Sequence, residues 1–189
     1  GVVHIIDTVL TVPDSTILDL AQDTSALSTL VTALGAADLL DALKGQGPFT
    51  LFAPSHAAFA PLGDGLENLL KPENKAALVA LLTYHVVPGT VVKAGSITDA
   101  ETNVKTLEGS GVVAKRSDSD VLINDAKVTT ADIEASNGVV HIIDTVLTIP
   151  ITRIAQDTSD LSTLVTALDK ADLLDALKGP GPFTVFAPS

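Results

Sequence analysis

Between residues 14 and 150 the apolar and polar positions change their period near residue 90. Before it the spacing is helical. Leu27, Leu30, Val31 and Leu34 fall on one face of residues 25–34, and Asp23, Thr24 and Ser25 are N-cap candidates. Residues 36–43 predict a second short helix closed by Lys44 and Gly45, with Gly35 as the turn between the two. Gly47 and Pro48 reset the chain, and Phe49-Thr-Leu-Phe52 reads as a strand. Ser55 caps a short helix carrying Ala57, Ala58 and Phe59, and residues 67–70 add a further helical turn. Pro72 sits at the first position of a helix that runs to Tyr84 and His85 and is stopped by Pro88 and Gly89.

Beyond residue 90 the period is two. Short strands are expected at 91–92, 102–107, 112–115, 121–123 and 127–129, with turns at 117–120 and 124–125. Ala131, Asp132 and Ile133 read as a bend, and Asn137-Gly138 as a tight turn. The last strand, 139–147, puts Val139, His141, Ile143, Thr145 and Leu147 on one face and Val140, Ile142, Asp144 and Val146 on the other. Apolar residues on both faces place it in the middle of a sheet. Helices first and strands later give an α+β domain.

Two segments of this pattern occur twice. Gly1-Val-Val-His-Ile-Ile-Asp-Thr-Val-Leu-Thr recurs from Gly138, and 30 of 35 residues agree between 21–55 and 155–189. The offsets of 137 and 134 residues are those of a whole domain rather than a solenoid unit. The expected organisation is therefore the C-terminal end of a preceding domain at 1–13, one complete domain at 14–150, and the N-terminal part of a following domain at 151–189. The linkers differ, because residues 14–20 have only residues 151–154 as their counterpart.

Composition narrows the function. A net charge of −12 speaks against nucleic acid and against an electrostatic hold on anionic lipid. The absence of cysteine excludes a disulfide framework, thiol catalysis and thiolate metal sites. The apolar stretches are too short to cross a bilayer, so no transmembrane segment is expected. The chain begins at Gly1 without methionine or a signal peptide, which reads as a processed product or a fragment.

Thr50-Leu-Phe-Ala-Pro-Ser-His-Ala-Ala-Phe59, Tyr84-His85 and Asn137-Gly-Val-Val-His-Ile-Ile-Asp-Thr-Val-Leu147 together resemble the fasciclin domain. The three motifs occur in that family's order and spacing, and the flanking copies match its end and its beginning. Phe52, Pro54, Ser55, Asn137, Gly138, His141 and Asp144 carry the signatures. The resemblance implies a wedge with a β-sandwich-like core of about seven strands and several packed helices. It also implies a secreted or surface-anchored protein, often in tandem, that serves cell adhesion or matrix assembly. Tyr-His and Asp-Ile pairs are implicated in integrin binding in animal members, and Tyr84, His85, Asp132 and Ile133 occupy those positions. Thr-Thr-Ala precedes Asp132 where that pattern has Glu-Pro, and Arg-Gly-Asp is missing.

Each of these residues also has a structural role open to it. Tyr84 and His85 suit a helix end tied into the fold, and His141 and His4 suit a core strand. Asp144 and Asp7 require partners if buried. Residues 117–120 read as a solvated turn rather than a calcium loop. No catalytic constellation stands out: Gly109-Ser110-Gly111 lacks the spacing of a nucleophile elbow, and the adjacency of Ser55 and His56 is not triad geometry. The chain is expected not to be an enzyme and to need no cofactor or metal.

Two further functions compete with a tandem matrix or filament protein whose partners are neighbouring fasciclin domains, a cell-surface receptor or a matrix component. One is a binding module for a small apolar ligand such as a carotenoid, which some algal fasciclin proteins bind. The other is carbohydrate binding, for which one tyrosine and no tryptophan are available to stack on sugars.

Overall fold

A computed structural model describes residues 13–149, 151–152, 155, 161–171, 173 and 177. Its first helix, α1 (Ile17–Asp23), starts at a capping box. Thr16 Oγ1 accepts from the Asp19 amide, and the Asp19 carboxylate accepts from the Thr16 amide. The bond to Thr16 holds the Asp19 carboxyl below its usual range. The sequence pattern predicts a linker over residues 14–20, where the structure forms this helix. The three candidates at 23–25 form no side-chain cap; Thr24 instead precedes a 3-10 turn at Ser25–Leu27.

Helix α2 (Ser28–Ala36) includes Gly35, so the turn falls later, at Asp38, whose φ is 56°. Helix α3 is shortened to Leu40–Leu43. Strand β1 (Phe49–Pro54) follows, and Ser55 Oγ accepts from the Ala58 amide to cap the next 3-10 segment as expected. Helices α4 (Asp64–Leu69) and α5 (Lys75–Tyr84) complete the helical half.

The chain then makes strand β2 (Val86–Pro88), where helix end was expected, and no strand at 91–92. Strands β3 (Thr102–Lys105), β4 (Gly111–Ser117), β5 (Asp120–Ile123), β6 (Ala126–Ala135) and β7 (Gly138–Ile143) follow. The bend at 131–133 is a bulge inside β6: Thr130 faces Ile142 while Ile133 faces Val140, with Asp132 left-handed at φ 57°.

The seven strands form one sheet in the order β2-β1-β7-β6-β5-β4-β3. β1 and β7 are parallel, from Phe49↔Gly138 to Pro54↔Ile143, and the other pairs are antiparallel. The sheet curls until its edges meet, where the Leu107 amide donates to the Val86 carbonyl at 2.6 Å. The fold is the α+β, seven-stranded, helix-flanked architecture that the resemblance implied.

Two cores result, and the central strands serve both. Leu51 and Ala53 of β1 and Val140 and Ile142 of β7 face the helices, with Leu18, Leu30, Leu34 and Leu82. Phe52 and Ile143 face the interior of the curled sheet, with Tyr84, Val112 and Ile123. β7 lies between β1 and β6, so its two apolar faces are explained. Asp144, just beyond it, is exposed and accepts from the Lys127 amide at 2.9 Å.

Close approach of backbones fixes one end of this centre. A Cβ on Gly138 would lie 2.0 Å from the Phe49 carbonyl oxygen, and one on Gly47 would lie 2.0 Å from that of Asn137. Asn137 ties the same place together. Its Oδ1 accepts from Ile17, and its Nδ2 donates to the carbonyls of Leu43 and Gly45.

Residues 1–12, and most of those after Pro150, lie outside the described residues, so the expected flanking domain pieces are not placed. The described part of the second copy is chiefly helix α6 (Ser162–Lys170).

Candidate functional site

The motif residues form three clusters along the β1–β7 centre. The first is the end of α5. Tyr84 is fully buried; its hydroxyl donates to the Gly111 carbonyl and accepts from Asn124 Nδ2, both at 3.2 Å. Burial pushes the phenol above its ordinary range. His85 is 1% exposed. Its Nδ1 meets the Leu81 carbonyl at 2.8 Å, and its Nε2 meets the Leu147 amide at 2.9 Å. An amide can only donate and a carbonyl only accept, so the ring is neutral with its proton on Nδ1. Burial lowers its pKa to about 4, against the opposing pull of the Leu81 carbonyl.

The second cluster is the β6 bulge. His141 is buried and stacked on Phe52 at 5.7 Å. Its Nδ1 accepts from the Asp132 amide at 3.2 Å, and its Nε2 donates to the Val92 carbonyl at 2.7 Å. This is the opposite tautomer to that of His85. Burial again lowers the pKa, while the Val92 carbonyl and the Asp132 carboxylate oppose it. Asp132 Oδ1 accepts from the Ala94 amide at 2.9 Å, and its side chain is 37% exposed. Ile133 is half-buried against the helix-side core.

The bulge therefore brings Asp132 onto His141 and the loop at 92–94. It does not bring Asp132 and Ile133 together with Tyr84, which belongs to the core inside the sheet, or with His85, whose ring is bonded to the Leu81 carbonyl and the Leu147 amide. Of the four expected recognition residues, Asp132 presents the most accessible polar group. Ser55 and His56 do not pair either, since Ser55 Oγ caps a turn and His56 Nδ1 meets Thr29 Oγ1 at 2.6 Å.

The third cluster is a cleft of about 700 Å³ beside the β6–β7 turn. Pro13, Lys44, Pro48, Val91, Lys93 and Glu134 line it with Asn137 and Gly138. Lys93 and Glu134 pair at 2.7 Å, and Glu134 raises the Lys93 pKa. Sequence reading missed this cleft, because its walls come from three distant segments that share no local pattern.

The family model of the fasciclin domain matches residues 25–150 and again 159–189. The chain belongs to the fasciclin domain family. Protein sll1483 of Synechocystis sp. is 48% identical over 136 residues, covering 71% of this chain and 74% of that protein. Transforming growth factor-beta-induced protein ig-h3 of Sus scrofa is 37% identical over 150 residues, covering 79% of this chain. The chain spans only 22% of that relative's length. A FAS1 domain pair from the insect cell adhesion molecule Fasciclin I shares the fold, with a TM-score of 0.67, 21% identity, and coverage of 77% of this chain and 55% of that one. Among the described residues of this fasciclin chain, no helix is long and apolar enough to cross a membrane.

Proposed function

We propose that this chain is part of an extracellular structural and adhesion protein built of tandem fasciclin modules, a segment of a repetitive matrix or filament-forming polypeptide. One geometric observation carries the proposal. The chain enters the module beside the β6–β7 turn, where the Ser136 amide donates to the Ser15 carbonyl at 2.9 Å. It leaves past the other end of β7, where His85 holds the Leu147 amide. The six residues of β7 separate entry from exit by about 20 Å. Modules joined through such ends extend in a line. The duplicated segments and the second family match at 159–189 support this reading.

Adhesion is supported by the family, a structural relative of which is called a cell adhesion molecule. A surface location is supported by a mycobacterial relative called cell surface glycolipoprotein MPB83, 33% identical over 135 residues. Receptor or matrix contact, where it uses the motif residues, is assigned to Asp132 and the neighbouring Lys93–Glu134 pair rather than to buried Tyr84 and His85. The proposal includes no catalytic step, because the ring nitrogens of His85 and His141 are fully engaged in backbone bonds. Nothing in the cleft favours a carotenoid, since two lysines and a glutamate line it.

Electron microscopy of the native parent assembly tests the proposal. Linear rows of modules at constant spacing are expected. Dispersed single modules would contradict it.

A further inference from the structure

Asn137 is the one asparagine of the chain that glycine follows; the other four precede Leu69, Lys75, Val104 and Asp125. An asparagine–glycine pair carries a reaction of its own. Glycine has no Cβ to crowd its nitrogen as it approaches the preceding side chain. When that nitrogen attacks Cγ, an N–C bond forms and the Cγ–Nδ2 bond breaks. The glycine proton leaves with Nδ2 as ammonia, and a cyclic succinimide remains. Water then opens the ring to aspartate or isoaspartate.

The folded module withholds the motion this step requires. Cγ must swing toward the Gly138 nitrogen, by rotation of the side chain and of the peptide between the two residues. Nδ2 is held by the Leu43 and Gly45 carbonyls at 2.8 Å and 3.0 Å, and Oδ1 by the Ile17 amide at 2.9 Å. The Asn137 carbonyl accepts from the Phe49 amide, also at 2.9 Å. Gly138 is paired with Ala135 on one side and Phe49 on the other. Phe49 lies so close that a Cβ on Gly138 would meet its carbonyl oxygen at 2.0 Å. The Ile17 bond alone would draw electrons from Cγ and help the attack; the remaining contacts deny the approach. They run to α1, α3 and β1, and they release only when those elements part. Water is not what is lacking, since Asn137 and Gly138 line the cleft of about 700 Å³.

We propose that Asn137 is a deamidation site controlled by the fold: intact in the closed module, converted when α1, α3 and the β6–β7 turn separate, and unable to rebuild their tie afterwards. Aspartate has no Nδ2 hydrogens to give. Its carboxylate sets an oxygen against the Leu43 and Gly45 carbonyls, acceptor against acceptor. Isoaspartate inserts a methylene into the main chain before Gly138, where Phe49 leaves no slack. A sufficiently long opening is therefore recorded in the covalent structure, and the marked module stays loosened.

The full 189-residue chain is aged at neutral pH with and without guanidinium chloride, and conversion of Asn137 is followed by peptide mass spectrometry. Conversion should be roughly 100-fold slower without denaturant, because it waits for opening. At intermediate denaturant its rate should follow the unfolded fraction read by circular dichroism. Equal rates in the folded and unfolded chain would overturn the proposal.

The loss of the tie has its own readouts. Asn137→Asp should melt below Asn137→Ala, because it adds repulsion to the missing bonds. Melting above Asn137→Ala would show that a carboxylate still serves the tie, and would contradict the proposal. Chains aged in denaturant and returned to buffer give the answer without a substitution. The converted peptide should be enriched in the chains cut by brief proteolysis, and an even distribution between cut and intact chains would overturn the proposal.

Discussion

Helices α2 and α6 share the sequence Ser-Thr-Leu-Val-Thr-Ala-Leu and differ only in their last two residues, Gly35-Ala36 against Asp169-Lys170. Their local geometry is almost the same. Each starts at a leucine without a side-chain cap, at φ −108° for Leu27 and −102° for Leu161. Each has a threonine hydroxyl bonded to the serine carbonyl one turn back, at 3.0 Å and 2.9 Å. Each ends with an alanine amide donating to the carbonyl four residues earlier. Their surroundings differ completely. Leu30, Ala33 and Leu34 are at most 1% exposed, whereas α6 has no buried residue. The helix is therefore a property of the seven residues, and its burial is a property of α1, α5 and the sheet. A short helix gains most of its stability from such packing. The second copy has the local code of a module without, among the described residues, its core.

The largest expected effect separates the two copies directly. Leu30→Ala should cost about 3 kcal/mol of unfolding free energy, and Leu164→Ala less than about 0.5 kcal/mol. Urea titration of the two variants reads both values, and equal costs would erase the distinction. Acid should act at a similar scale, and on the module alone. His85 has a folded pKa of about 4 against an ordinary 6.5. Between those values the unfolded chain binds a proton that the folded chain refuses. The His85 contribution is therefore full above pH 6.5, falls as the pH drops through that window, and levels off below about 4. The loss is roughly 3 kcal/mol from His85, and His141 adds to it in the same direction. Denaturant midpoints from pH 7.5 to 4 test this, and His85→Gln should flatten the profile.

Removing the side chain that ties α1, α3 and the β6–β7 turn comes next. Asn137→Ala leaves the Ile17 amide and the carbonyls of Leu43 and Gly45 without their side-chain partner. A cost of about 2 kcal/mol is expected from thermal melting. The smallest effect concerns the module's start. Thr16→Ala should cost about 1 kcal/mol through the lost cap. The linker ahead of the second copy, Ile151-Thr-Arg-Ile154, lacks the Thr-x-x-Asp sequence of this box.

That difference also marks what the sequence made legible. The strong periodicities were readable: α2, the turns at 117–120 and at Asn137-Gly138, and the two-faced β7. Helix α1 was not, because its seven residues are too few for a clear period and Asp19 stands where glutamate or glutamine marks the usual capping box. Strand β2 follows α5 after a single residue, and apolar Val86 and Val87 read equally well as a helix end. The signature residues were visible as motifs, but their roles were not. Only the fold shows that His85 and His141 hold opposite tautomers, that Asn137 binds three backbone groups, and that a bulge turns Asp132 outward while Tyr84 stays inside. The cleft left no trace in the sequence, since proximity of residues 44–48, 91–93 and 134–139 is a product of the sheet's register.

Amide hydrogen exchange on the full chain addresses the central claim most directly: residues 14–150 fold as a self-sufficient body, and the second copy is not part of its core. Amides of α2 should exchange only on global unfolding, on the order of 1,000-fold more slowly than those of α6, which open locally. Equal protection in the two helices would mean that the second copy is built into the same folding unit, and would contradict the account.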